Sequence, residues 1–424
     1  MMFYKETKLK ETPIGRIPQN WRAVLINEIS EVRRGASPRP INDPKYFSDK
    51  GRGWVRISDV TESYKHLRKT SQYLSELGEA KSVKVNPGDL IMSICATVGR
   101  PIIVDMEACI HDGFVVFRNL SEDVDVEFLF YILQKYERKF ASKRQTGTQG
   151  NLNTNLVGNT LIPLPPVEEQ RAIVRVLGVV DSAIELVDWV IAKTERLKKG
   201  LMQTLLTRGI GHKEYKQTPI GIIPKTWQVV KLKDVVLEAK SGFASGKRDK
   251  NGILQLRMDN IETEGWVNPK AGVKVPIPPN VEEYTLQPND LLFNNTNSVD
   301  LIGKTAIFRG EIPKCVYSNH LTRIRVDFDK VIPEWILFVL IRKWQMGIFK
   351  AICHRHVHQA GINNNDLLNI KIPVPEISEQ QKIAQILSTV DKKLKIERQE
   401  KARLERAKRG LMDLLLTGKI RVKV

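Results

Sequence analysis

The sequence predicts a mixed α/β (α+β) protein built twice. Two similar globular domains are each followed by a long helix, and the two helices pair antiparallel to give an internal duplication with pseudo-twofold symmetry. Three observations predict this. Apolar residues recur at steps of four and three over long proline-free stretches. The same passages return some 210 positions further along. Between the copies lie short alternating stretches bounded by turn residues.

The first helix starts after Ile162-Pro163-Leu164-Pro165-Pro166, passes Glu168-Glu169-Gln170 and reaches Leu206 with no further proline. Its seam is Ile173, Leu177, Val180, Ile184, Val187 and Ile191, then Leu201 and Leu205, a heptad pattern suited to packing on another helix. Roughly 40 residues at about 1.5 Å each make a rod of about 60 Å, long enough to set a distance. The echo begins at Ile372-Pro373-Val374-Pro375 with Glu379-Gln380, and its seam is Ile383, Leu387, Val390, Leu394, Leu404, Leu411 and Leu415. Glu397 and Lys401 interrupt it. Gly200-Leu201-Met202 returns as Gly410-Leu411-Met412. Upstream, Thr12-Pro13-Ile14-Gly15 with Ile17-Pro18 and Trp21 returns as Thr218-Pro219-Ile220-Gly221 with Ile223-Pro224 and Trp227.

In chain order this gives an arm (1–20), a domain (21–158), a helix (159–210), a second arm (211–227), a second domain (228–368) and a second helix (369–424). Within the domains, Trp54-Val55-Arg56-Ile57 and Leu254-Gln255-Leu256-Arg257 read as strands, with Arg56 and Arg257 inside them. Asn86-Pro87-Gly88-Asp89 and Gln287-Pro288-Asn289-Asp290 read as turns that lead into apolar strands. A helix is expected over about 126–142 and its counterpart over about 334–350. The arms and helices match closely while the loops between them differ, which suits two readers of different short sequences on one scaffold.

The formal charge of +19 and a pI near 9.6 point to a polyanionic partner such as double-stranded DNA. Four scattered cysteines without a Cys-x-x-Cys pair favour free thiols in a reducing compartment. No apolar run is long enough for a membrane span, and the start lacks a secretion signal. A soluble, cytoplasmic protein is expected.

Arginine suits guanine, Asn and Gln suit adenine, and Lys, Arg and Thr suit phosphates. The candidate DNA-binding loops are therefore Arg33, Arg34 and Arg39, then Lys143, Arg144, Gln145, Thr148 and Gln149 in the first half. In the second half they are Lys247 and Arg248, then Asn294, Asn295 and Asn297, then His354, Arg355, His356, His358 and Gln359. The stretch Cys353 to His358 also has metal-like spacing, but the matching first-half segment holds no ligand, so a basic loop facing DNA or an ordinary loop is preferred to a metal site. The runs Lys193 to Lys199 and Lys401 to Arg409 read either as solvated faces or as contacts to the DNA backbone.

Two variable domains alternating with two repeated long helices resemble the specificity subunit of type I restriction-modification systems. The resemblance rests on the doubled Pro-x-Pro with Glu-Gln, the doubled Gly-Leu-Met, and the arm from Pro13 to Trp21 repeated from Pro219 to Trp227. It implies that each variable domain is a target recognition domain for one half of a bipartite DNA site. It also implies that the paired helices act as spacer and as docking surface for two adenine methyltransferase subunits, through which a restriction and translocase subunit joins. Chemistry would reside in those partners, which carry the S-adenosylmethionine, ATP and Mg sites; this chain would hold no cofactor or metal and no catalytic residue.

The residues agree with that division of labour. Asp43-Pro44-Lys45-Tyr46 lacks the second proline of an amino-methyltransferase box. Gly303-Lys304-Thr305 lacks the first glycine of a phosphate-binding loop. The alternatives are a coiled-coil scaffold without sequence-specific DNA binding and a self-contained DNA methyltransferase.

Overall fold

The computed structural model describes residues 2–142, 152–355, 357 and 359–423. The first long helix runs Val167–Arg208 and the second Ile377–Leu415. The chain divides into two compact units. Unit 1 is Met1–Trp189 with Gln399–Val424, and unit 2 is Val190–Arg398. Each unit therefore holds one half of each long helix.

Both units are mixed α/β and share a frame. In unit 1 a sheet is ordered Glu31–Arg34, Phe114–Arg118, Leu90–Ser93, Pro101–Val104, His66–Leu67. Unit 2 repeats its first four strands as Val236–Ser241, Leu321–Val326, Leu291–Asn294 and Thr305–Ile307. A second sheet, Gln72–Leu74, Phe47–Val55 and Ala108–Ile110, returns as Val273–Val275, Ile253–Leu256 and Cys315–Tyr317, and unit 1 adds Val83–Val85 at its edge. The long apolar runs form the central strands because they are covered on both faces. Leu90 and Met92 enter one core cluster and Ile91 another, and Leu291 and Phe293 are likewise split from Leu292. All four cysteines are free. Cys109 and Cys315 stand on equivalent strands, and burial pushes their thiols up to about 11 and about 12.

Several expectations shift in detail. The strands end at Val55 and Leu256, so Arg56 and Arg257 lie just beyond them. The Arg56 backbone N–H donates to Asp59 Oδ2 at 2.8 Å and that of Arg257 to Asn260 Oδ1 at 2.8 Å, each opening a short helical turn. The helix at Val126–Ser142 stands as read. Its counterpart runs only Pro333–Gln345, because Gly347 adopts φ 75°, a left-handed conformation that ends one helix before Ile348–Ile352 begins. The arms are β-hairpins, Leu9–Thr12 with Gly15–Pro18 and Tyr215–Thr218 with Gly221–Pro224. In both, the Thr hydroxyl (Thr12, Thr218) donates to the Gly carbonyl (Gly15, Gly221) at 2.6 Å.

The repeated Trp and Glu-Gln motifs are the joints of this frame. Gln170 Nε2 donates to Asp123 O and Pro165 O, and its Oε1 accepts from Asp125 N, which fixes the loop before the 126–142 helix. Gln380 makes the same three bonds with Lys330 O, Pro375 O and Ile332 N. Trp21 Nε1 donates to Glu169 at 3.0 Å, and Trp227 Nε1 to Glu379 at 2.9 Å. In unit 1, Arg421 grips Glu169 through two nitrogens at 2.6 and 2.8 Å and Glu6 at 2.7 Å. Arg421 belongs to a strand, Ile420–Val422, that pairs antiparallel with Phe3–Lys5. In unit 2, His212 Nε2 takes the place of this arginine, 2.9 and 3.0 Å from the two Glu379 oxygens.

Within each unit the helix halves run antiparallel. In unit 1, Asp181 pairs with Lys408 and Asp188 with Lys401; in unit 2, Glu195 pairs with Arg398 and Lys198 with Asp391. Of the seam, Ile173, Leu177, Ile184, Leu205, Ile383, Leu387, Leu394 and Leu415 are buried. Val180, Val187, Ile191, Leu201, Val390, Leu404 and Leu411 are half-buried. Ile173 and Leu177 pack into the core of unit 1, and Ile383 and Leu387 into that of unit 2. The seam's first turns thus serve their own domains. The lysine runs are corrected in part: Lys198 and Lys408 are buried in ion pairs. Among the described residues, no helix is long and apolar enough to cross a membrane.

Candidate nucleic-acid interface

In unit 1, the strand Glu31–Arg34 leads into Gly35, whose N–H donates to Phe114 O at 2.9 Å. A Cβ here would lie 2.1 Å from His111 O, so only glycine lets the two segments meet. This close approach brings Arg34, Ser37 and Arg39 onto Asp112. Arg34 Nε donates to the Asp112 carbonyl at 2.8 Å, Ser37 Oγ to Oδ1 at 2.6 Å, and Arg39 forms an ion pair with Oδ2 at 3.0 Å. Burial raises the Asp112 carboxyl, but the Ser37 hydroxyl and Arg39 charge outweigh it and hold it below the usual range. Arg33 and Arg39 are exposed.

Behind this cluster, His111 packs edge-on against Phe114 at 4.8 Å and tilted against Trp54 at 5.7 Å. Its Nδ1 accepts from Gly113 N at 2.9 Å, which leaves the proton on Nε2. Burial, aided by Arg56, pushes its pKa down to about 4. It is a neutral wedge under the arginines. Lys143, Arg144, Gln145, Thr148 and Gln149 lie outside the described residues.

Unit 2 repeats the close approach at Gly242, whose Cβ would meet Tyr317 O at 2.2 Å, but changes what surrounds it. Lys247 and Arg248 are exposed. The three asparagines are buried. Asn295 donates to Asn319 O at 3.1 Å and Thr322 Oγ1 at 3.0 Å and accepts from Thr296 Oγ1, while Asn297 accepts from Ser298 N. Asn295 and Asn297 are thus engaged inside the fold, while both polar atoms of the buried Asn294 amide lack a hydrogen-bond partner among the described residues; Asn295 and Asn297 brace a loop. That loop carries a three-stranded ribbon in which Thr296–Asn297 pairs with Ala360–Gly361, which pairs with His354–Arg355. His354 Nε2 lies 2.8 Å from Asp366 Oδ2. Arg355 and Gln359 are exposed, and His356 and His358 lie outside the described residues.

The structure thus gathers Arg34 and Arg39 in unit 1 and His354, Arg355 and Gln359 in unit 2. Sequence reading missed Ser37, His111 and Asp112, which come together across 75 residues; the doubled Gly35 and Gly242 were the signal available. Gly303-Lys304-Thr305 forms a turn in which Lys304 Nζ donates to Ile261 O at 2.6 Å. Asp43 caps the short turn Pro44–Tyr46. Among the described residues, no cluster of three or more His, Cys, Asp or Glu side chains could hold a metal ion.

Two units with one frame and different polar edges define a repeated recognition module. The chain belongs to the type I restriction-modification DNA specificity domain family, whose domain model matches residues 18–196 and again 224–406. It is a specificity subunit, the non-catalytic recognition component of such a system. The MjaVIII specificity subunit of Methanocaldococcus jannaschii is 28% identical over 100% of this chain and 98% of its own length. The putative MjaX specificity subunit of the same organism is 28% identical over 100% and 99%. The fold matches the crystal structure of the S subunit from M. genitalium, with a TM-score of 0.57 at 13% identity over 99% of this chain and 100% of that one. It also matches a chain from a structural study of type I system assembly, with a TM-score of 0.55 at 21% identity over 95% and 99%.

Proposed function

We propose that this chain directs a type I restriction-modification enzyme to a bipartite site in double-stranded DNA. One half is read by the domain at 21–158 and the other by the domain at 228–368. The antiparallel helices hold the two halves at a fixed spacing and dock two adenine methyltransferase subunits, which supply the S-adenosylmethionine chemistry. A restriction subunit that uses ATP and Mg joins through them. The observation that carries this reading is one frame built twice with unlike loops at matching positions: Arg34, Ser37, Arg39 and Asp112 around Gly35, against the exposed Lys247 and Arg248 that follow Gly242. The +19 charge supplies the electrostatic attraction that any such reader needs.

The test is selection from a randomised DNA library by the full chain with its methyltransferase, followed by adenine-methylation mapping. Two short conserved blocks at a constant separation are expected. Replacing residues 21–158 with the domain of a relative should change one block and leave the other. A single block, or none, would sink the reading. A four-residue insertion in both long helices adds about 6 Å and should widen the gap by one or two base pairs, given about 34 to 36 Å per helical turn of DNA.

A further inference from the structure

We propose that Val357 reads a thymine methyl group in the half-site taken by unit 2. This rests on the DNA-reading function above and names a specificity-determining residue within it. Val357 lies in the connection between His354–Arg355 and Ala360–Gly361 and is 91% exposed, the most exposed large apolar side chain among the described residues. Such connections favour Gly, Asn and Asp, whereas a β-branched apolar residue is disfavoured there. Left in water, Val357 contributes nothing to the fold.

The base of the hairpin is held by pairing on both strands. His354 pairs with Gly361 and Arg355 with Ala360, and Thr296–Asn297 adds a third strand. The Ile362 N–H donates to Asn295 O at 2.9 Å, and Asn295 is itself held by Asn319 and Thr322. His354 is tied to Asp366. The paired strands are thus tied to the fold, and Val357 lies in the connection between them.

The side chains flanking Val357 define its use. Arg355 and Gln359 are exposed and offer the donors and acceptors that suit guanine and adenine edges. A two-stranded ribbon fits the major groove, where the only apolar feature of any base pair is the thymine C5 methyl. An exposed valine between two hydrogen-bonding residues completes a set that can discriminate thymine as well as purines. Against a phosphate backbone it would have no role.

The experiment uses the duplex enriched by the full chain with its methyltransferase, with each thymine replaced in turn by deoxyuridine, which lacks only the methyl group. For the wild-type chain, one substitution in the unit 2 block should weaken binding roughly fourfold, the worth of one buried methyl. Val357→Ala should weaken binding to the thymine duplex by a similar factor and abolish the further loss from deoxyuridine. An unchanged unfolding midpoint would show the variant is folded. A deoxyuridine series that is flat, or identical for wild type and Val357→Ala, would overturn the assignment while leaving the DNA-reading function intact. A uniform loss in Val357→Ala with no thymine dependence would instead mark a wedge between base steps and also overturn it. Failure to enrich any motif would remove the function itself.

Discussion

The two units solve the same structural problem with different chemistry. At the joint below each long helix, a Trp indole and a helix-start carboxylate are completed in unit 1 by Arg421, a permanent cation that also binds Glu6, and in unit 2 by His212. Between the helices, each unit buries one Asp–Lys pair at the same repeat position. Asp181 accepts from Tyr64 at 2.9 Å and Tyr131 at 2.6 Å as well as pairing with Lys408 at 2.9 Å, and Lys408 also donates to Gln134. Asp391 has Lys198 at 2.5 Å, with Glu264 close enough to act on its charge. Glu264 is neutralised by Arg398 at 3.0 Å. Burial pushes the Asp391 carboxyl up despite Lys198, and Glu264 adds to that push. The frame tolerates such exchange because each buried charge keeps a partner, and the difference teaches that the interhelix aspartate is held by two tyrosine hydroxyls and a lysine in unit 1 but by a lysine in unit 2.

The largest expected effect breaks the first difference. Arg421→Ala strands Glu169 and Glu6, whose side chains are 3% and 10% exposed, and should cost unit 1 about 3 to 5 kcal/mol. His212→Ala removes a histidine from a wetter site and should cost unit 2 about 1 kcal/mol. Native-state hydrogen exchange of peptides from each unit checks both; equal losses would refute the contrast.

Next comes pH. The unfolded chain binds a proton at His111 near the ordinary value of about 6.5, and folded unit 1 does so only near 4. The unfolded state therefore holds more protons in that window, so the stability of unit 1 falls as pH drops from about 6.5 to 4, by about 3 kcal/mol, and levels off below. His111→Gln should remove this slope. Unit 2 has Ser318 at the matching position and should lack this contribution. Unfolding of each unit followed across pH measures it.

A smaller effect sharpens the wiring contrast. Replacing Asp391 and Lys198 together by Leu and Met should leave unit 2 unchanged or raise its stability by up to about 2 kcal/mol, because a lone buried pair is often replaceable. The same exchange at Asp181 and Lys408 should destabilise unit 1 by about 2 kcal/mol or more, since the hydroxyls of Tyr64 and Tyr131 lose their acceptor. Thermal unfolding of the two double variants decides between them. The smallest effect concerns charge. Arg39→Gln should lower the slope of log affinity against log salt by about one unit if its guanidinium meets a phosphate, and relax motif selectivity at one position without changing the slope if it meets a base.

Much of this frame was legible in the sequence. The heptad seams and the 210-residue offset locate both long helices, and the doubled Trp and Glu-Gln motifs mark the joints, though not what they hold. Lys198 and Lys408 escaped because a lysine in a charged run reads as solvated, and only the partner helix shows the facing aspartate. The asparagines at 294, 295 and 297 share their residue type with base-reading side chains, and burial separates the two roles. Asp112 gave no signal because the residues it gathers lie in other segments. The strands Phe3–Lys5 and Ile420–Val422, three residues each, are too short for any alternation to register.

Those two strands have a consequence for biosynthesis. Unit 2 is one continuous run of chain, whereas unit 1 needs Phe3–Lys5 to meet Ile420–Val422 and Glu169 to meet Arg421. A ribosome starts unit 1 first yet completes unit 2 first. The nascent first domain must wait, with its opening strand and the Glu169 carboxylate uncovered, until Arg421 has been made, 252 residues beyond Glu169.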